Sequence, residues 1–154
     1  MSTLFTHVTA LLLDEAFTTL KDGYVAVEGS RITYVGSQRP QGAYDEVLDC
    51  TGKVMMPGLV NAHTHLPMTL MRGYGGGQDL QHGLNDFIFP AEAKLDQRAV
   101  AAGTGLGLAE MIASGVTCVA DMYMKTGTIA RQIVEAGISA NLSCGLSLIH
   151  LSEP

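Results

Sequence analysis

Two histidines one residue apart, His63 and His65, lie in the stretch PGLVNAHTHLPMTLMRG over residues 57–73. In an extended chain, side chains two positions apart point to one face. The two imidazoles therefore project together, and Thr64 points away. Two imidazoles on one wall can hold a single divalent metal ion. Imidazole suits zinc, iron and nickel, and a catalytic zinc keeps one position open for water. A metal so held lowers the pKa of its bound water to about 7, which makes hydroxide available at neutral pH. A bare His-x-His carries little weight alone. Here the pair follows an apolar run and a Pro57-Gly58 entry.

The pair needs a rigid support. KVMMPGLVNAHTH contains a nearly continuous apolar run, the pattern of a strand buried on both faces. A Gly-rich loop follows over residues 73–83, then a short predicted helix within LNDFIFPAEAKL. Asp96 reads as the N-cap of a helix over QRAVAAGTGLGLAEMIAS, with Gly115 just past its end. VTCVADMY (116–123) predicts a second strand, TGTIARQIVEA a helix closed by Gly137, and ISANLSCG a third strand. Strand, helix, strand, helix, strand predicts parallel βα units. The histidines then fall at the C-terminal end of the first strand, where TIM-barrel enzymes place their chemistry.

Residues 1–56 read differently. VTALLLD, GYVAVEG, RITYVG and EVLDC are short β-type runs, separated by Lys21-Asp22-Gly23, Glu28-Gly29-Ser30 and Gly36-Ser37. The middle separator predicts a tight hairpin. Such a meander cannot bury both faces alone, so it is expected as a sheet appended to a barrel.

The bulk numbers narrow the function classes. The chain has 154 residues, 47% hydrophobic and 16% charged, with a net charge of −6. That length allows one ordinary domain with a real core. Without a basic cluster, neither nucleic acid nor an anionic membrane is an expected partner. There is no apolar run of membrane-spanning length, and the N-terminus carries no signal-peptide pattern. Cys50, Cys118 and Cys144 are scattered and odd in number, which fits free thiols in a reducing cytoplasm.

PGLVNAHTHLPMTLMRG resembles the first-strand signature of the amidohydrolase superfamily. With IFPAEAKL and GVTCVADMYM it is similar to the subgroup of methylthioadenosine/S-adenosylhomocysteine deaminases and chlorohydrolase-like enzymes. The resemblance covers about residues 5–145. It implies an α/β fold: the N-terminal part of a (β/α)8 barrel over residues 57–145, preceded over 1–56 by part of a small β-sandwich. It implies that His63 and His65 ligate one divalent metal, zinc before iron, manganese or nickel. It implies that Glu92, in PAE, holds the ribose hydroxyls of the substrate, sensible chemistry for a carboxylate. A third histidine, an aspartate and the proton-transfer residues would lie beyond residue 154, so no catalytic residue is assigned within this chain. The expected reaction of the complete protein is hydrolytic deamination of an adenine-type nucleoside derivative by metal-activated water. The expected partners are that small heterocycle and water, with a homo-oligomer open for the complete enzyme.

Two positions depart from the family pattern. Cys144 matches a substrate-binding arginine, and a thiol cannot replace a charged five-donor fork. Gly83 stands where the family usually has tryptophan at the pocket border. These departures keep open an inactive or binding fragment with a degenerate pocket; a guanine or triazine/chloro-heterocycle hydrolase of the same superfamily is the alternative among enzymes. Phosphoesterases that begin with His-x-His are a further class, but they place that motif near the chain start.

The remaining candidates have plainer readings. His82 is expected as an exposed loop residue, His7 as structural, Arg72 as a loop brace and Asp121 as a hydrogen-bonded structural carboxylate. The glycines of GTGLGL are expected to let a helix approach the barrel closely. Leu146–Pro154, LSLIHLSEP, differs at Leu151 alone from a translated sequencing-library adapter. It is expected to be a non-native tail, which disqualifies His150 as a third ligand.

Overall fold

The computed structural model describes residues 1–144; the proposed tail and His150 lie outside them. The chain divides into two compact units, one of Met1–Pro57 and one beginning at Gly58.

The first unit is a five-stranded sheet in the order β3-β2-β1-β4, with β5 also on β1. Its strands are β1 (Ser2–Leu11), β2 (Thr19–Glu28), β3 (Arg31–Gly36), β4 (Glu46–Asp49) and β5 (Val54–Met55). The period-two pattern of β1 buries Leu4, Thr6, Val8 and Ala10 on one face. Val8 and Ala10 pack with Val25 and Cys50. The predicted hairpin forms: Glu28 pairs with Arg31 across Gly29-Ser30, and Gly29 takes φ +57°, the conformation for which glycine is suited.

Lys21-Asp22-Gly23 is not a turn. β2 runs through it, and the local irregularity is absorbed as a bulge against β1, where the register slips between Phe5 and Val8 and again before Ala10. His7 and Asp22 both take positive φ there. His7 Nδ1 meets Asp22 Oδ1 at 2.7 Å, so this histidine braces the bulge.

The second unit is a parallel three-stranded sheet, β6-β7-β8, of β6 (Leu59–Thr64), β7 (Val116–Tyr123) and β8 (Ser139–Cys144). After β6 comes a 3-10 helix, Leu66–Met71. Next come α1 (Leu80–His82), a π-helical stretch Gly83–Ile88, α2 (Phe89–Glu92) and α3 (Gln97–Ala113), which leads into β7. The helix α4 (Thr126–Ala136) joins β7 to β8. The helix predicted near residue 84 thus begins earlier, at α1. Asp79 caps it, its carboxylate accepting from the N–H groups of Gln81 and His82 at 3.0 and 3.2 Å. His82 bonds back to the same carboxylate at 2.5 Å. The π stretch adjoins Pro90, which has no N–H to give an α-helical ladder.

Asp96 Oδ1 accepts from Ala99 N–H at 2.7 Å, Gly115 ends the α3 turn with φ +79°, and Gly137 closes α4 with φ +74°. Leu66, Val100, Leu108, Val119, Tyr123, Ile129 and Ile133 form the core.

Two expectations need correction. β6 is not buried on both faces: Leu59 and Val60 are 48% and 65% exposed. Among the described residues β6 pairs with β7 alone, so its other edge makes no strand pairing there. The α3 glycines do permit a close approach, but to the 3-10 helix and not to the strands. A Cβ on Gly103 would lie 2.5 Å from the Pro67 carbonyl oxygen, and one on Gly107 would lie 2.9 Å from Leu66 Cδ2. This contact lets the Thr69 hydroxyl donate to the Gly103 carbonyl at 2.7 Å.

Candidate active site

His63 is the penultimate residue of β6, and His65 is the first residue past it. Their Nε2 atoms face each other at 3.2 Å. The rings meet edge to face, with centroids 5.0 Å apart and planes at 83°. Thr64, between them, is 9% exposed and pairs with Asp121 of β7.

His65 Nδ1 lies 2.6 Å from the Met122 carbonyl oxygen. A carbonyl can only accept, so Nδ1 carries the proton. In the neutral ring this leaves Nε2 with its lone pair facing His63. A backbone partner that fixes the tautomer in this way is the usual support of a metal-ligating histidine. The residue sequence could not reveal it, because a carbonyl donates no residue-type signal.

The chain turns sharply after His65. The 3-10 helix begins at Leu66 with His65 in the N-cap position and no side-chain cap bond. Instead, Asp121 Oδ1 accepts from Leu66 N–H at 2.7 Å. Asp121 is 3% exposed, and burial pushes its carboxyl above the usual range despite the opposing pull of Leu66 N–H and His65. Arg72 braces the far end of the same helix, its Nη2 reaching both Glu110 oxygens at 2.9 and 2.6 Å.

Glu92 closes α2 and is half-buried. Its carboxylate lies near the Tyr123 hydroxyl. Tyr123 is 6% exposed, and its phenol is pushed up, first by burial and then by Glu92, although no well-formed hydrogen bond joins the two. Cys144 ends β8, exposed, opposite Tyr123 in the ladder. The strand ends thus gather His63, His65, Tyr123 and Cys144 at one end of the sheet, with Glu92 beside Tyr123. Gly83 opens the π stretch, and a Cβ there would meet nothing closer than the Gly75 oxygen at 3.6 Å, so a side chain has room to start.

The pair fits one metal ion as far as donors go. Two nitrogens that both bind one zinc at about 2.1 Å can lie no more than about 4.2 Å apart, and the observed 3.2 Å satisfies that. Among the described residues no third His, Cys, Asp or Glu joins them. A cavity of about 280 Å³ between β6 and α3 touches His65, Thr64, Asn61 and Glu110. It includes neither His63 nor Glu92.

Residues 54–149 match the amidohydrolase family. The chain is 45% identical over 127 residues to a 5'-deoxyadenosine deaminase from Methanothermobacter thermautotrophicus, covering 82% of this chain and 30% of that protein. It is 38% identical over 146 residues to a 5-methylthioadenosine/S-adenosylhomocysteine deaminase from Thermoanaerobacter pseudethanolicus, covering 95% and 34% respectively. The chain thus spans about a third of the length of these curated relatives. Among solved structures, an adenosine deaminase from Xanthomonas campestris with bound zinc matches with a TM-score of 0.76 and 33% identity, over 90% of this chain and 32% of that one. The fold is the N-terminal part of a (β/α)8 barrel preceded by part of a β-sandwich, and the chain belongs to the amidohydrolase family.

Proposed function

We propose that this chain is the N-terminal part of a metal-dependent aminohydrolase, acting on the amino group of an adenine-type nucleoside derivative. In this reading residues 1–56 are its share of the sandwich and residues 57–145 the first βα units of the barrel. The observation that carries it is the His63–His65 pair, with facing Nε2 atoms at 3.2 Å and one tautomer held by a carbonyl. The identities to deaminases support the substrate class.

His63 and His65 would hold one divalent ion, zinc before the alternatives. When bound, that ion would activate water for attack on the ring carbon bearing the amino group. The Met122 carbonyl keeps the proton of His65 on Nδ1, so Nε2 stays a donor of electrons. Glu92 accepts from the ribose hydroxyls and so orients the base. Water adds at the ring carbon, the C–N bond breaks and ammonia leaves, with proton transfer supplied by residues outside this chain. The expected substrates are 5'-deoxyadenosine, methylthioadenosine and S-adenosylhomocysteine, and the expected compartment is the cytoplasm.

Cys144 and Gly83 favour a second reading, a guanine or triazine hydrolase, because both remove groups that would grip a large nucleoside. Assaying the complete enzyme for ammonia release with the three nucleosides, guanine and triazines separates the two. Glu92→Ala distinguishes them further: it should raise KM for ribosides at least tenfold and leave a bare heterocycle unaffected. Activity on heterocycles alone would overturn the nucleoside reading.

A further inference from the structure

We infer that Asp121 is a positioning residue for the metal site, acting as a cap supplied from another strand. This rests on the reading of His63 and His65 as metal ligands. A helix start leaves backbone N–H groups without partners, and the residue at the N-cap usually satisfies one with a short polar side chain. Here that position is His65, whose ring is committed elsewhere: Nδ1 to the Met122 carbonyl at 2.6 Å and Nε2 toward His63. His65 makes no cap bond. The orphan donor belongs to Leu66, itself 1% exposed, so solvent cannot serve it and leaving it unmade would be costly.

Asp121 meets that need from 55 residues away, at 2.7 Å. It is buried, and its Oδ2 has no hydrogen-bond partner among the described residues. A buried carboxylate that makes a single such bond is expensive to keep, which makes that bond its evident purpose. The next residue of the same strand, Met122, holds the His65 ring. Two consecutive residues of β7 therefore fix the second of the paired ligands: one sets where its backbone turns, the other sets how its ring rotates. His65 can keep its ring for the metal because the Leu66 N–H, the first of the helix and out of reach of an N-cap side chain, is served from the neighbouring strand.

The test uses the complete enzyme with Asp121→Asn, Asp121→Ala and the core control Ile133→Val. Zinc affinity is measured by chelator competition, and the site is examined through the visible absorption of the cobalt-substituted protein. Asn keeps an acceptor oxygen for Leu66 N–H, so it should hold zinc within about threefold of wild type with an unchanged cobalt spectrum. Ala should lose about 10–100-fold in affinity, the usual cost of losing an outer-shell partner, with an altered spectrum. Ile133→Val should lower Tm without changing either readout. Wild-type affinity in Asp121→Ala would overturn the inference. So would a tenfold loss in Asp121→Asn, which decides the matter even if the alanine variant does not fold. His63→Ala and His65→Ala in the same assay keep the two ideas apart: if they retain zinc, the ligand reading itself has failed.

Discussion

Gly103 and Gly105 sit two residues apart in the interior of α3, yet alanine should act on them in opposite directions. At Gly105 the new methyl would meet only Gln132 Oε1 at 3.5 Å, an ordinary contact. The substitution then gains the helix preference of alanine over glycine, about 1 kcal/mol. At Gly103 the same methyl would lie 2.5 Å from the Pro67 oxygen and 3.0 Å from Pro67 Cα, both backbone atoms that cannot rotate away. Forcing α3 off the 3-10 helix costs about 1–3 kcal/mol by overpacking. It also stretches the Thr69–Gly103 hydrogen bond, worth about 1 kcal/mol. After the same propensity gain, Gly103→Ala should be destabilised by about 1–3 kcal/mol. The two variants should then differ by about 2–4 kcal/mol, or several degrees in Tm at about 2–4 °C per kcal/mol for domains of 150–250 residues. Urea unfolding of both, with m unchanged, measures the gap. Because Pro67 is two residues from His65, Gly103→Ala should also weaken metal binding, whereas Gly105→Ala should not. Equal stabilisation by both substitutions would refute the packing argument.

Asp121 gives a pH prediction. An acid whose folded pKa is raised binds its proton more readily folded than unfolded, so its contribution to stability falls as pH rises through that raised pKa. Asn has no such titration. The stability of Asp121→Asn relative to wild type should therefore rise from acid toward neutral pH, and a difference flat with pH would contradict the burial argument. Cys144→Arg combined with Gly83→Trp in the complete enzyme should lower KM for S-adenosylhomocysteine by at least tenfold if those positions bind substrate. An unchanged KM would remove both from the site.

Local chemistry made much of the fold legible. Asp96, Gly115 and Gly137 mark the ends of α3 and α4 because caps and left-handed closures depend on a few neighbouring residues. The alternating strands and the parallel order followed from periodicity. Features that depend on a distant partner were harder to read. Lys21-Asp22-Gly23 has turn composition, but pairing of β1 with β2 on either side carries the strand through it as a bulge. The apolar run of β6 predicted burial, yet burial needs covering elements that the run cannot specify. The His-x-His spacing predicted one shared face. The fixing of His65 by a backbone carbonyl and of Leu66 by Asp121 had no signal in residue type or spacing, since both partners lie more than fifty residues away.

The proposed chemistry stands or falls with His63 and His65 ligating one metal ion. The most direct measurement is the metal content of the complete protein, purified without added metal, beside His63→Ala and His65→Ala variants shown to be folded. About one equivalent of divalent metal per chain is expected in the wild type, with nitrogen neighbours at about 2.0–2.1 Å by X-ray absorption if the ion is zinc, and loss of most of it in either variant. A full equivalent of metal retained in both variants would contradict it.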